Sequence, residues 1–176
     1  MAEGDNNSAG KVGGQIGDQA GEAAPQTQVR VLGQYIKDLS FENPNVRKML
    51  DNPNTQQQQP NLRVEVSVNI TRMAEKVFES SIQFKAEATS DTGVIYDLEL
   101  AYAGLFQLDN MPEQMLEPFL LVNCPALLFP YLRRLVADLT REGGFPPLVL
   151  DPIDFANLYM SRQRERAEQA ASSKPN

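Results

Sequence analysis

"LRVEVSVNITR", residues 62–72, decides the fold class. Leu62, Val64, Val66, Val68 and Ile70 alternate with Arg63, Glu65, Ser67 and Asn69, and a period of two puts one set on each face of an extended chain. One face is apolar and needs cover. Downstream, "VFESSIQFKAEAT" (77–89) sets Phe78, Ile82, Phe84 and Ala86 against Glu79, Gln83, Lys85 and Glu87. "DTG" at 91–93 is turn chemistry, and "VIYDLELAYAGLF" (94–106) then places Tyr96, Leu98, Leu100 and Tyr102 opposite Asp97 and Glu99. With "QVRVLGQYIKDL" (28–39) as a fourth, less regular candidate, the pattern predicts a four-stranded antiparallel sheet with a hairpin at 91–93.

The cover comes from the last third of the chain. From Met115 to Leu139 apolar residues are dense and Pro118 to Leu132 carries no charge, which predicts a long buried helix. That uncharged run falls short of the ~20 residues needed to span a bilayer, and prolines interrupt it, so a membrane helix is not expected. Pro125 and Pro130 each remove a backbone donor, so the helix should bend. A helix apolar nearly all round cannot be satisfied by one sheet face, so its second face is expected to meet another surface, most economically a copy of itself. The carbonyls freed by the prolines would then find partners or water there. "EGGFPPL" (142–148) supplies a helix stop and an extended connection; it fits neither a P-loop nor a dinucleotide fingerprint.

Composition narrows the chemistry. The net charge of −7 argues against nucleic acid, the absence of histidine removes the usual near-neutral proton carrier, and a lone Cys124 can form neither an internal disulfide nor a Cys/His metal cluster. No cofactor is expected, and the composition suits a reducing cytoplasm. Residues 1–27 are Gly, Ala, Gln and Asn with scattered charge, a disordered N-terminal tail without an export signal. Residues 28–160 form the domain, and 161–176 a helix end and a disordered C-terminal tail.

"KDLSFENPN" (37–45), "CPALLFPYLRR" (124–134) and "GGFPPLVLDPIDFANLY" (143–159) stand in the order and at about the spacing found in SecB, the bacterial protein-export chaperone family, which the domain resembles throughout. The resemblance implies an α+β fold, a four-stranded antiparallel sheet covered by a long helix and a C-terminal helix, assembled as a homotetramer, a dimer of dimers. It implies an ATP-independent chaperone that holds unfolded precursor proteins and passes them to the translocation motor SecA, without direct membrane insertion. Asp38, Glu42 and Glu99 then resemble the acidic positions that dock the motor, with Asp97 standing where the family carries leucine. Leu62, Val64, Val66 and Tyr159 resemble positions lining the client groove, and Leu98, Leu100 and Tyr102 positions involved in assembly. Cys124 precedes Pro125 in the family motif as a small packed side chain, and Leu128 is placed with them at the subunit contact.

Each assignment has a plainer counterpart: solvated charge for the carboxylates, ordinary core for the apolar residues. The rival functions are an acyl-thioester hydrolase, with Asp97 or Glu99 as general base, and a non-chaperone adaptor. The hydrolase fold places its long helix after the first strand, whereas here it follows the strands, so no enzyme is expected.

Overall fold

The computed structural model describes residues 26–51, 60–91 and 93–172. The expected tail at 1–27 therefore lies almost wholly outside the described residues, as do 173–176. Four strands, β1 (Gln28–Glu42), β2 (Asn61–Arg72), β3 (Val77–Ser90) and β4 (Gly93–Asp109), form one antiparallel sheet in the order β1-β4-β3-β2. A short helix, α1 (Val46–Asp51), follows β1, and a continuous helical stretch after β4 is made of α2 (Glu113–Pro118), a π-helical turn (Phe119–Asn123) and α3 (Cys124–Glu142). The last element is α4 (Phe155–Ser172).

Every alternation noted in the sequence survives in the register. Val64 pairs with Ala86 and Ala86 with Leu98; Val68 pairs with Ile82 and Ile82 with Tyr102. One face of the sheet is thus apolar across three strands, and Cys124, Leu128, Leu132 and Val136 of α3, each fully buried, close over it. Gly104 of β4 makes room for this contact, since a Cβ there would lie 2.8 Å from a methyl of Leu128. By length and hydropathy, Glu113–Glu142 could cross a membrane; its packed face makes it the core helix of this domain.

Pro125 is accommodated inside the protomer, a correction to the expected role of an interface at that position. In the π turn the Cys124 N–H reaches the Phe119 carbonyl, and the next carbonyl, that of Leu120, faces a proline without a donor at position 125. The buried Ser80 hydroxyl of β3 donates to it instead, at 2.9 Å. A core serine thereby satisfies the carbonyl that a proline leaves orphaned. Ala126 and Pro130 both lie on the exposed side of α3.

Helix ends follow sequence chemistry. Past α3, the Gly144 N–H bonds to the Arg141 carbonyl and the Phe145 N–H to that of Thr140, with Gly144 at φ +88°, the left-handed closure that glycine permits. Asp154 caps α4, its carboxylate accepting from the Asn157 N–H at 3.0 Å. The helix then continues to Ser172, so the helix end expected within 161–176 takes up most of that segment. Alanines at 167, 170 and 171 favour it, and Arg166 is anchored to Glu117 of α2 at 3.3 Å.

Candidate apolar groove and acidic face

Helix coverage stops at the two central strands, which leaves the helix-side residues of both edge strands bare. On β2, Leu62, Val64 and Ile70 are exposed, Val64 at 41%, Val66 is half-buried, and only Val68 is fully covered. Three of the expected client-lining residues therefore share one partly open apolar row. Tyr159 of α4 is half-buried and reaches the far end of that row: with Val68, Leu121, Leu158 and Arg162 it lines a small cavity, so it adjoins Val68 rather than Leu62 or Val64. At the Val68–Thr71 end of β2, a cleft of about 630 Å³ lies between the strand and the distal half of α4 and continues onto the outer face of the sheet, bounded by Lys37, Asn69, Thr71, Gln83, Arg162 and Arg166.

The residues expected to serve assembly are covered within the protomer. Leu98, Leu100 and Tyr102 are buried in the protomer core, as is Cys124, and Leu128 has no solvent contact at all. Periodicity explains it: positions 124, 128, 132 and 136 recur one helical turn apart and point at the sheet, which turns 127 and 131 away from it. Leu127, 49% exposed, and Tyr131 are the large side chains on the outer side. Tyr131 stacks on Tyr102, with ring centroids 6.3 Å apart, and Tyr102 pairs with Ile36 of β1. The outer side of the helix therefore adjoins the bare row Val29, Val31, Ile36 and Leu39 on the other edge strand.

On the opposite face of the sheet the charges gather. Glu42 pairs with Asp97 and Asp97 with Glu87, while Ser40 pairs with Glu99 and Glu99 with Lys85, which faces Glu65. Asp38, Glu42 and Glu99, singled out from the sequence, thus share one surface, and register adds Glu65, Glu87 and Asp97. Among these carboxylates, Lys85 binds Glu99 at 2.5 Å and Asp97 at 3.4 Å. The Glu99 hydrogen bond, with the charge of Asp97, holds the Lys85 ammonium above its usual range. A shallow depression of about 280 Å³ lies within this patch, lined among others by Asp38, Glu65, Gln83 and Glu99.

One outer-face carboxylate escaped the sequence reading. Glu79 of β3 is 5% exposed and accepts hydrogen bonds from the Tyr35 hydroxyl and from Lys37 at 2.6 Å, both on β1. It reaches across β4, where Ala101 and Ala103 leave space. Burial alone would raise the Glu79 carboxyl; the hydrogen bonds from Lys37 and Tyr35, with the Lys37 charge, outweigh it and hold the group below its usual range. Tyr35 is pushed up to about 12 by its bond to Glu79, with burial and the Glu79 charge adding. The sequence offers no local signal for it, because Glu79 falls on the polar side of an alternating strand with Gln83, Lys85 and Glu87.

An open apolar edge backed by an acidic outer sheet presents two surfaces of the kind to which other polypeptides bind. Comparison with known proteins gives the particular kind. The family described as preprotein translocase subunit SecB matches residues 22–166. A protein-export protein SecB of Parvibaculum lavamentivorans is 48% identical over 163 residues, 93% of this chain and 94% of the relative. That of Afipia carboxidovorans is 46% identical over 155 residues, 88% of this chain and 94% of the relative. The chain belongs to the SecB family of protein-export chaperones. Its fold is shared, at 16% identity and a TM-score of 0.56, by a SecB-like chaperone of Mycobacterium tuberculosis solved in complex with an antitoxin peptide, the match covering 71% of this chain and 90% of the other.

Proposed function

We propose that the protein holds precursor polypeptides unfolded in the cytoplasm, without ATP and without a covalent step, and delivers them to SecA. The observation that carries this reading is the uncovered helix-side row of β2, where Leu62, Val64 and Val66, bordered through Val68 by Tyr159, present apolar surface. An unfolded chain exposes apolar segments that can be buried there, and folding removes them, so selectivity needs no recognition of a particular sequence. Because several such segments lie along one client, modest contacts add into tight holding.

SecA docks on the outer face through Asp38, Glu42 and Glu99, where surface charge is dense enough to steer a basic partner. The assembly is a homotetramer, a dimer of dimers, built on the bare side of β1 and the outer side of α3; Leu98, Leu100, Tyr102, Cys124 and Leu128 support that surface from within. A hydrolase reading has little to stand on: Asp97 and Glu99 point out over the open face and pair with Lys85. Light scattering coupled to chromatography tests the proposal. A particle near four times 19.6 kDa that takes up a slow-folding client only in its unfolded form, unaffected by ATP, is expected. A monodisperse monomer that ignores unfolded chains would refute it.

A further inference from the structure

Among the described residues β2 ends the sheet, so one side of its backbone has no strand partner there. The Val68 carbonyl points to that side and is already taken: Arg162 of α4 donates to it at 2.6 Å. Pairing of β2 with β3 runs from Asn61 to Arg72 without a register shift, so the backbone groups of every second residue, Leu62, Val64, Val66 and Ile70, face the same open side as those of Val68. These are also the residues whose side chains form the apolar row. A strand edge of this kind is a template for an incoming extended chain, which would gain main-chain hydrogen bonds and apolar contacts together.

Arg162 interrupts that template. Its side chain borders the cavity shared with Leu121, Leu158 and Tyr159, and one turn further Arg166 grips Glu117, so the guanidinium is held over the edge from both directions. A client strand running past Val66 would have to displace a charge-assisted bond, whereas one that stops at Val66 would not.

We infer that Arg162 is a specificity-determining residue of the groove: by occupying the Val68 carbonyl it confines main-chain pairing of an extended client to the Leu62–Val66 half of β2. The inference rests on the client-groove reading above. It applies to the backbone, and so limits the length of extended segment accepted rather than its side chains.

Amide hydrogen exchange along β2, in the full-length assembled protein with and without a soluble alternating valine–threonine peptide flanked by lysines, tests it. In the wild type the peptide should protect the amides of Leu62, Val64 and Val66 only. Arg162→Met, which keeps a flexible stem but loses the donor, should extend protection to Val68 and Ile70 and bind the peptide about tenfold more tightly, the equivalent of one charge-assisted hydrogen bond no longer displaced. Arg162→Lys, which keeps a cation and a donor, should stay near the wild type. Protection reaching Ile70 in the wild type overturns the inference, and that footprint decides the matter even if the Met variant does not fold. An unchanged footprint in a folded Met variant overturns it equally. If β2 shows no protection anywhere while unfolded clients are still held, Arg162 has no such role but the chaperone reading stands. If clients are not held at all, both fall.

Discussion

The Ser80 hydroxyl and the Leu120 carbonyl meet at 2.9 Å in the interior, joining the central sheet to the π turn of the long helix. The bond exists because position 125 is a proline. Replacing Ser80 by Ala removes the donor and strands a buried carbonyl, which should cost about 1–3 kcal/mol. Chemical denaturation should show a lower midpoint with an unchanged slope, since the same surface is exposed on unfolding. Stability equal to the wild type would mean that the carbonyl has another partner.

Leu127 and Leu128 are neighbours with opposite fates. Leu128→Ala opens a cavity against Gly104 and should cost about 2–5 kcal/mol of stability. Leu127→Glu places a charge on the outer side of the helix, where a lone protomer tolerates it at little cost and a subunit interface does not. Light scattering should therefore show a smaller particle for Leu127→Glu that remains folded by circular dichroism. An unaltered mass would remove Leu127 from the assembly surface.

Acid should loosen the tie between β1 and β3. The folded-state pKa of Glu79 is depressed, so its contribution is present above its unfolded value and fades as pH falls through the lower folded one. Tyr35 is raised to about 12, so its contribution is complete below the ordinary phenol value of about 10 and is lost as pH climbs from there through about 12. Glu79→Gln should flatten both limbs of a stability–pH profile. A variant whose profile overlays the wild type would show that the cluster does not couple to folding.

Reversing Asp38 and Glu42 to lysine should weaken SecA binding while leaving secondary structure and client holding intact, because both lie on the face away from the groove. The wild-type complex should also weaken as salt rises, since exposed charges are screened over about 10 Å at 0.1 M. Titration at low ionic strength checks this. Equal affinity for the wild type and the double variant would place the docking surface elsewhere.

Val64→Ser with Val66→Ser separates binding from packing. With Val64 41% exposed and Val66 half-buried, the pair should cost well below the roughly 3–6 kcal/mol expected of two fully buried valines, yet reduce client affinity in steps. Melting temperature and suppression of client aggregation are measured on the same preparation. A variant that melts far lower but still holds clients when folded would make these residues core.

Much of the sheet was legible because alternation is a local signal: Leu62 to Ile70 state their faces without reference to any other strand. The chain motifs around Asp38, Pro125 and Phe155 carried the family, and with it the acidic and apolar surfaces. What could not be read was which side of the long helix meets the sheet. An inserted residue in the π turn shifts the phase, and Leu127 and Leu128 are equivalent to any hydropathy scale. Glu79 and Arg162 were hidden for another reason. Their partners are 42 or more residues away, and nothing beside them in the sequence specifies a distant lysine or an exposed carbonyl. The reach of the C-terminal helix was hidden in the same way, because the contacts that hold it, Arg162 on Val68 and Arg166 on Glu117, also join residues far apart in the chain.

Cys124, the first residue of α3, faces the sheet without solvent contact, and burial pushes its thiol up to about 12. Only the thiolate reacts with alkylating reagents, so the closed protein is inert to them at neutral pH. The single cysteine is therefore a built-in clock: its labelling rate counts how often the long helix lifts from the sheet, and a client or a subunit that fastens the helix should slow that count without touching the sulfur.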